Sequence, residues 1–162
     1  MTYRQKGKRV KLVKYAAVSP IFLLSCFAFS FDFITDNELS FGLLAIPKNN
    51  NISSVIVTRS GRTSSTGSIF ILEPGTPGEH TITGLAPYTY VNLSVSTPVE
   101  PIDTYSGPTL RVTAIEMQSA GNANANGELS FFMGATLSTS GDGNAYLSGA
   151  TYNFRIPIEI TF

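Results

Sequence analysis

The chain of 162 residues holds one cysteine, one histidine and no tryptophan. The cysteine, Cys26, lies in an N-terminal apolar stretch, so the remainder has no thiol, no disulfide and no cysteine ligand for a metal. One histidine, His80, cannot supply the several His or Cys ligands that a zinc site needs. A serine-type triad is not legible either, because Glu79 is merely the sequence neighbour of His80 and Ser and Thr are abundant everywhere. The expectation for His80 is a partly exposed strand residue. The stretch 61–67 lacks the Gly-Lys-Ser/Thr ending of a phosphate loop. Gly141-Asp142-Gly143-Asn144 is faintly similar to a calcium loop, but one carboxylate falls short of the ligand set, and a hairpin turn is expected instead. Asp32, Asp36 and Glu38 cluster, and paired carboxylates can serve glycoside hydrolysis. Without tryptophan to line a cleft, a solvated terminal segment is the better expectation. No catalytic residue, metal site or cofactor is expected, and the chain does not read as an enzyme.

Charge is also missing from one region. Six of the eleven basic residues lie in the first fourteen positions, and no acidic residue precedes Asp32. An uncharged stretch follows, from Tyr15 through Pro20, Cys26 and Ala28 to Ser30. A basic start, a short apolar middle and a small-residue exit fit a secretory signal peptide over 1–30, cut after Ser30. Two other readings stay open. Leu23-Leu24-Ser25-Cys26 resembles a lipobox, which would make Cys26 a lipid-anchored N-terminus. An uncleaved anchor is the other, although Pro20 interrupts a stretch at the short end for a bilayer. Beyond residue 30, five basic residues face eleven acidic ones, a formal charge of −6. Such a domain repels a phosphate backbone, so nucleic acid is not an expected partner.

What is present beyond residue 30 is strand and turn chemistry, rich in Ser, Thr, Gly, Ile, Val and Phe. Apolar residues alternate and no helical period emerges. Strands are expected near 53–60, at Ile69 and Ile71, at 80–84, at 91–96, at 110–116 and at 129–137. Gly61 to Gly67 reads as a connection, as does 122–127. Around 110–116, Leu110, Val112, Ala114 and Glu116 are expected on one face, opposite Arg111, Thr113 and Ile115. The last strand has the plainest pattern: Phe154, Ile156, Ile158, Ile160 and Phe162 share one face. Pro157 cannot donate to a ladder, which makes this strand an expected edge.

Several pieces together resemble a bacterial secreted family, domain of unknown function 4402. They are Leu39-Ser-Phe-Gly42, Val55-Ile-Val-Thr-Arg-Ser-Gly61 leading to Thr66-Gly67, Ile82-Thr-Gly84 with Tyr90-Val-Asn-Leu93, Met133-Gly-Ala-Thr-Leu137, and Tyr152 followed by alternation to Phe162. The resemblance implies an all-β, immunoglobulin-like or pilin-like β-sandwich of about seven to nine short strands over 31–162. It also implies kinship with spore-coat-U and chaperone–usher fimbrial subunits of Gram-negative bacteria, and carries no catalytic residues.

The implied role is a non-enzymatic structural or adhesive protein in the periplasm, on the cell surface or outside the cell. Its expected partners are copies of itself or a periplasmic assembly chaperone. In strand exchange, a neighbour's extended segment completes a sheet by main-chain hydrogen bonds and alternating side chains. The candidate donor is the segment holding Phe31 and Phe33, placed before a first strand expected from Leu39. The candidate assembly edge is Phe154 to Phe162. Two alternatives remain: a small outer-membrane β-barrel, suggested by the final alternating strand ending in Phe162, and a secreted glycan-binding module.

Overall fold

The computed structural model describes residues 30–103 and 107–162. The expected leader and Cys26 lie outside the described residues, apart from Ser30. Among the described residues every regular element is a strand. In chain order these are β1 (Asp32–Asn37), β2 (Leu43–Ala45), β3 (Ser54–Val57), β4 (Thr63–Ser65), β5 (Phe70–Glu73) and β6 (Gly78–Thr83). Then come β7 (Tyr90–Val95), β8 (Arg111–Met117), β9 (Ala120–Asn122), β10 (Leu129–Ser138) and β11 (Ile158–Thr161). The expected all-β class is what the chain adopts. Eleven strands exceed the expected seven to nine because β2, β4 and β9 have three residues each, too short to show alternation.

The architecture is a β-sandwich, and β10 is its spine. Met133 pairs with Gly78 of β6 and with Met117 of β8, while Ala135 pairs with Val57 of β3 and Ile115 of β8. A residue pairs only once on each side, so β8 follows one edge of β10. Along the other edge β6 and β3 follow one another. Gly134 sits at that handover, where a Cβ would collide with the Val57 carbonyl oxygen and lie 2.7 Å from the Arg59 nitrogen. Only glycine lets the turn after β3 approach β10 so closely. β1 adds outside β6, and β4 outside β3.

Two smaller sheets form the opposing layer: β11-β7-β9 and β2-β5. The alternation along β10 points Leu129, Phe131, Met133, Ala135 and Leu137 inward, all buried. These odd positions feed two core clusters. Ala135 and Leu137 join Val55, Ile69, Leu110 and Val112, covered by Leu44, Ile71, Tyr146, Tyr152 and Phe154. Leu129 and Phe131 join Ile82, Val91 and Leu93, covered by Ile158 and Ile160. Full burial of each such side chain contributes roughly 1.5–3 kcal/mol, which is how a domain without disulfides holds together.

Three local expectations fail for identifiable reasons. On β8 the pairing jumps from Ala114–Thr136 to Val112–Leu137, so Thr113 is an extra, bulged residue. The bulge switches faces: Val112 points inward and so do Ile115 and Met117, while Ala114 and Glu116 are exposed. The 141–144 segment is no hairpin, because no strand pairs after it. It is instead gathered by Asn49, which is 2% exposed. The Asn49 side-chain amide donates to Ser140 Oγ at 2.9 Å, to Asp142 Oδ1 at 2.8 Å and to the Asn144 carbonyl, and its Oδ1 accepts from the Gly141 N–H. Finally, the last strand is shorter than its apolar pattern. Phe154 makes only an isolated bridge to Pro101, and the ladder begins at Ile158, just past Pro157.

Candidate functional site: the seam between the first and last strands

The first strand forms where the sequence reading placed a free donor segment and no strand. Phe31-Asp-Phe-Ile-Thr35 is aromatic and β-branched, and suits a strand once a partner edge exists. That partner is β6 of the same chain: Asp32, Phe33, Ile34 and Thr35 pair antiparallel with Thr83, Ile82, Thr81 and His80. Leu39 therefore follows the first strand and does not begin it. Register slips between Thr35 and Asn37, leaving Asp36 as the extra residue. The Asn37 side chain closes the strand by donating to the Pro77 carbonyl at 2.8 Å. At the start of the strand, Gly84 has φ +80°, and a Cβ there would lie 2.7 Å from the Ser30 carbonyl oxygen.

β1 is held lightly. It pairs with β6 alone, its other edge is unpaired, and all six of its residues are exposed. Toward the core it contributes Phe33, whose ring centroid lies 5.2 Å from His80 and 6.2 Å from Phe131. On the outward face the Asp36 carboxylate accepts a hydrogen bond from Thr81 Oγ1 at 2.8 Å, and Thr81 Oγ1 also lies 3.0 Å from Ser130 Oγ.

β11 is the matching edge of the facing sheet. It pairs with β7 alone, Ile158 opposite Val95 and Ile160 opposite Leu93. Period-two alternation runs from Tyr152 to Ile160, with even positions half-buried and odd ones exposed. Phe154 covers one core cluster while Ile158 and Ile160 cover the other; Ile156 is half-buried between them. Phe162 is 65% exposed, and its ring meets Phe31 edge-on at 5.5 Å. The two terminal segments singled out in the sequence thus converge. Two sheet edges, each with a free side, meet through one aromatic pair.

His80 lies under this seam and is 6% exposed, not partly exposed as expected. It shares the inward face of β6 with Gly78 and Ile82. Its ring packs beside Phe33 and Phe131, the three centroids forming a triangle with sides of 5.2, 5.4 and 6.2 Å. Both ring nitrogens are buried without a hydrogen-bond partner. An unpaired buried polar group costs roughly 1–3 kcal/mol. Burial holds the His80 pKa below the usual 6.5, partly offset by the negative charge of Asp36. The alternation of His80 with Thr81 and Thr83 already put it on the face of Ile82, which was the signal for its burial.

The other sequence candidates do not assemble into a site. Asp32, Asp36 and Glu38 are exposed, and none faces a cleft. The carboxylate of Asp142 is held below the ordinary range mainly by the Asn144 backbone N–H, which donates to it at 3.0 Å. No group of three or more His, Cys, Asp or Glu is placed to hold a metal among the described residues. Surface depressions of about 320 and 380 Å³ are shallow. One lies beside Phe132 and the ion pair of Arg59 Nε with Glu116 Oε1, 3.2 Å apart; the other lies over Leu93, Thr97 and Ile115.

No curated protein and no solved structure is significantly similar to the chain. A family model does match, over residues 32–162, which begins at the first residue of β1 and ends at the aromatic that closes the seam. The chain belongs to the family described as Domain of unknown function (DUF4402).

Proposed function

We propose that this protein is a non-enzymatic, extracytoplasmic structural or adhesive subunit that joins copies of itself by strand exchange at the β1–β11 seam. The observation that carries the reading is β1: an edge strand, exposed at every residue, paired on one side only, and seated through one aromatic side chain. An edge strand with free backbone groups is a ready template for another chain, and proteins normally cover or shorten it. Here a six-residue example lies at the very start of the domain, where the chain can swing it outward. The same β6 edge would accept β1 from a neighbour with identical pairing, which makes exchange nearly isoenergetic. A pilin-like relation and an assembly chaperone that shields the seam before exchange belong to this reading.

Two features weigh on the alternatives. In a membrane barrel the apolar row faces lipid, whereas the inward rows of β6, β7 and β10 pack into a protein core and Glu79, Thr81, Asn92 and Ser94 face outward. A glycan-binding module finds some support in Tyr88 and Tyr90, both exposed, with Tyr88 held at φ +62°. Exposed tyrosines can stack on sugar rings, and strained backbone gathers at binding sites.

The test is the solution mass of the exported product of the full-length chain, with and without residues 31–37, in detergent-free buffer. Polymers that vanish on truncation support the reading. Polymers that persist on truncation contradict it, as does solubility only in detergent. A glycan screen on the same sample tests the second reading.

A further inference from the structure

The imidazole beneath β1 has no use in a purely structural seam. Phe at this position would fill the same space beside Phe33 and Phe131 without leaving two nitrogens unpartnered. We propose that His80 is a proton-operated latch: neutral, it lets β1 seat on β6, and charged, it drives β1 off the sheet edge. Its consequence, freeing β1 for a neighbouring copy, rests on the strand-exchange reading; the release itself does not.

The geometry fixes which part yields. A charged imidazole needs acceptors for two N–H groups, and both lie in the ring plane. The Phe33 and Phe131 rings pack against His80 at 5.2 and 5.4 Å and offer no acceptor to either N–H. Gly78 lies against Nε2, at 3.0 Å from where its Cβ would be, and offers no side chain. β10 is the less free to move, since Phe131 is buried in a core cluster and the strand is anchored to β8 from Met133 onward. β1 can, because β6 alone holds it. Lifting β1 removes Phe33 and opens His80 to water.

The charges around it do not rescue the ion in place. On β1 the charged groups are Asp32 and Asp36, with Glu38 just beyond; on β6 there is Glu79. β10 carries no titratable side chain. Asp36 favours the charged form, but its carboxylate is engaged by Thr81 Oγ1 on the outward face, and desolvation outweighs it. The sign follows. The seated state binds the proton less readily than the released state, whose exposed histidine titrates near 6.5. Seating is complete above that value and weakens as pH falls below it.

Hydrogen exchange on the exported product of the full-length chain, at pH 7.5 and 5.0 and corrected for intrinsic rates, reads this out. We expect protection of the β1 amides that pair with β6 to be lost at pH 5.0, with the β3, β8 and β10 ladders still protected. The midpoint should match the His80 ring titration followed by NMR. In His80→Phe the loss should disappear, and His80→Gln gives the same control if the phenylalanine variant does not fold. Equal β1 protection at both pH values overturns the latch, and so does the same loss in both variants. Solution mass on the same samples separates the two claims. Polymers that form while β1 protection stays flat sink the latch and spare strand exchange. Release at pH 5.0 with monomers throughout sinks strand exchange and spares the latch.

Discussion

Asn49 is a short polar side chain with three donated contacts and one accepted, all to residues 140–144. Removing it breaks four contacts at once, two to the half-buried Ser140 and Gly141 and two to the exposed Asp142 and Asn144. Asn49→Ala should lower stability by about 2–3 kcal/mol, read from urea unfolding with an unchanged slope. Gly134→Ala should cost at least about 2 kcal/mol by the same measurement, because the added methyl meets backbone that cannot turn aside. His80→Phe should behave in the opposite sense. It replaces unpaired nitrogens with carbon of similar shape, so stability at pH 7 should hold or rise by about 1 kcal/mol. The wild type should lose stability relative to this variant as pH falls below 6.5, since the buried ring resists the proton that the unfolded chain accepts. Residue types alone did not reveal these roles. A glycine at a strand handover, or an asparagine that collects a distant loop, is defined by what the chain brings next to it.

Elements differed sharply in how far the sequence foretold them. β3, β6, β7 and β10 carry long alternation with one buried face, and their positions were legible to within a few residues. β4 and β9 were not, because Thr63–Ser65 and Ala120–Asn122 have no apolar face and form where β3 and β7 offer a ladder. β8 was legible in extent but wrong in face beyond Thr113, since one bulged residue reverses every later side chain. The seam shows both sides. The apolar face of 154–162 was plain, whereas β1 read as a loose segment because Phe33 is the one aromatic it sends toward the core. Phe162→Ala should therefore cost less than about 1 kcal/mol in unfolding, its ring being mostly exposed. Phe131→Ala, which empties the centre of a core cluster, should cost about 3–5 kcal/mol. The contrast would place the seam outside the part of the molecule that sets stability.

At the scale of the whole molecule, β10 is the spine of the sandwich, β11 covers the core along one sheet edge, and β1 lies on the other with every residue exposed. Under the proposed strand exchange, β1 is the edge that the domain releases while the core stays folded. The direct test fixes β1 to its own β6 without removing anything. Ile34 and Thr81 face each other across that ladder, and paired antiparallel residues lie within the span of a disulfide. Ile34→Cys combined with Thr81→Cys should give a molecule that light scattering finds monomeric when oxidised. After mild reduction it should assemble to the same mass as the wild type at equal concentration. An oxidised, fully cross-linked variant that assembles as readily as the wild type would contradict strand exchange at this seam.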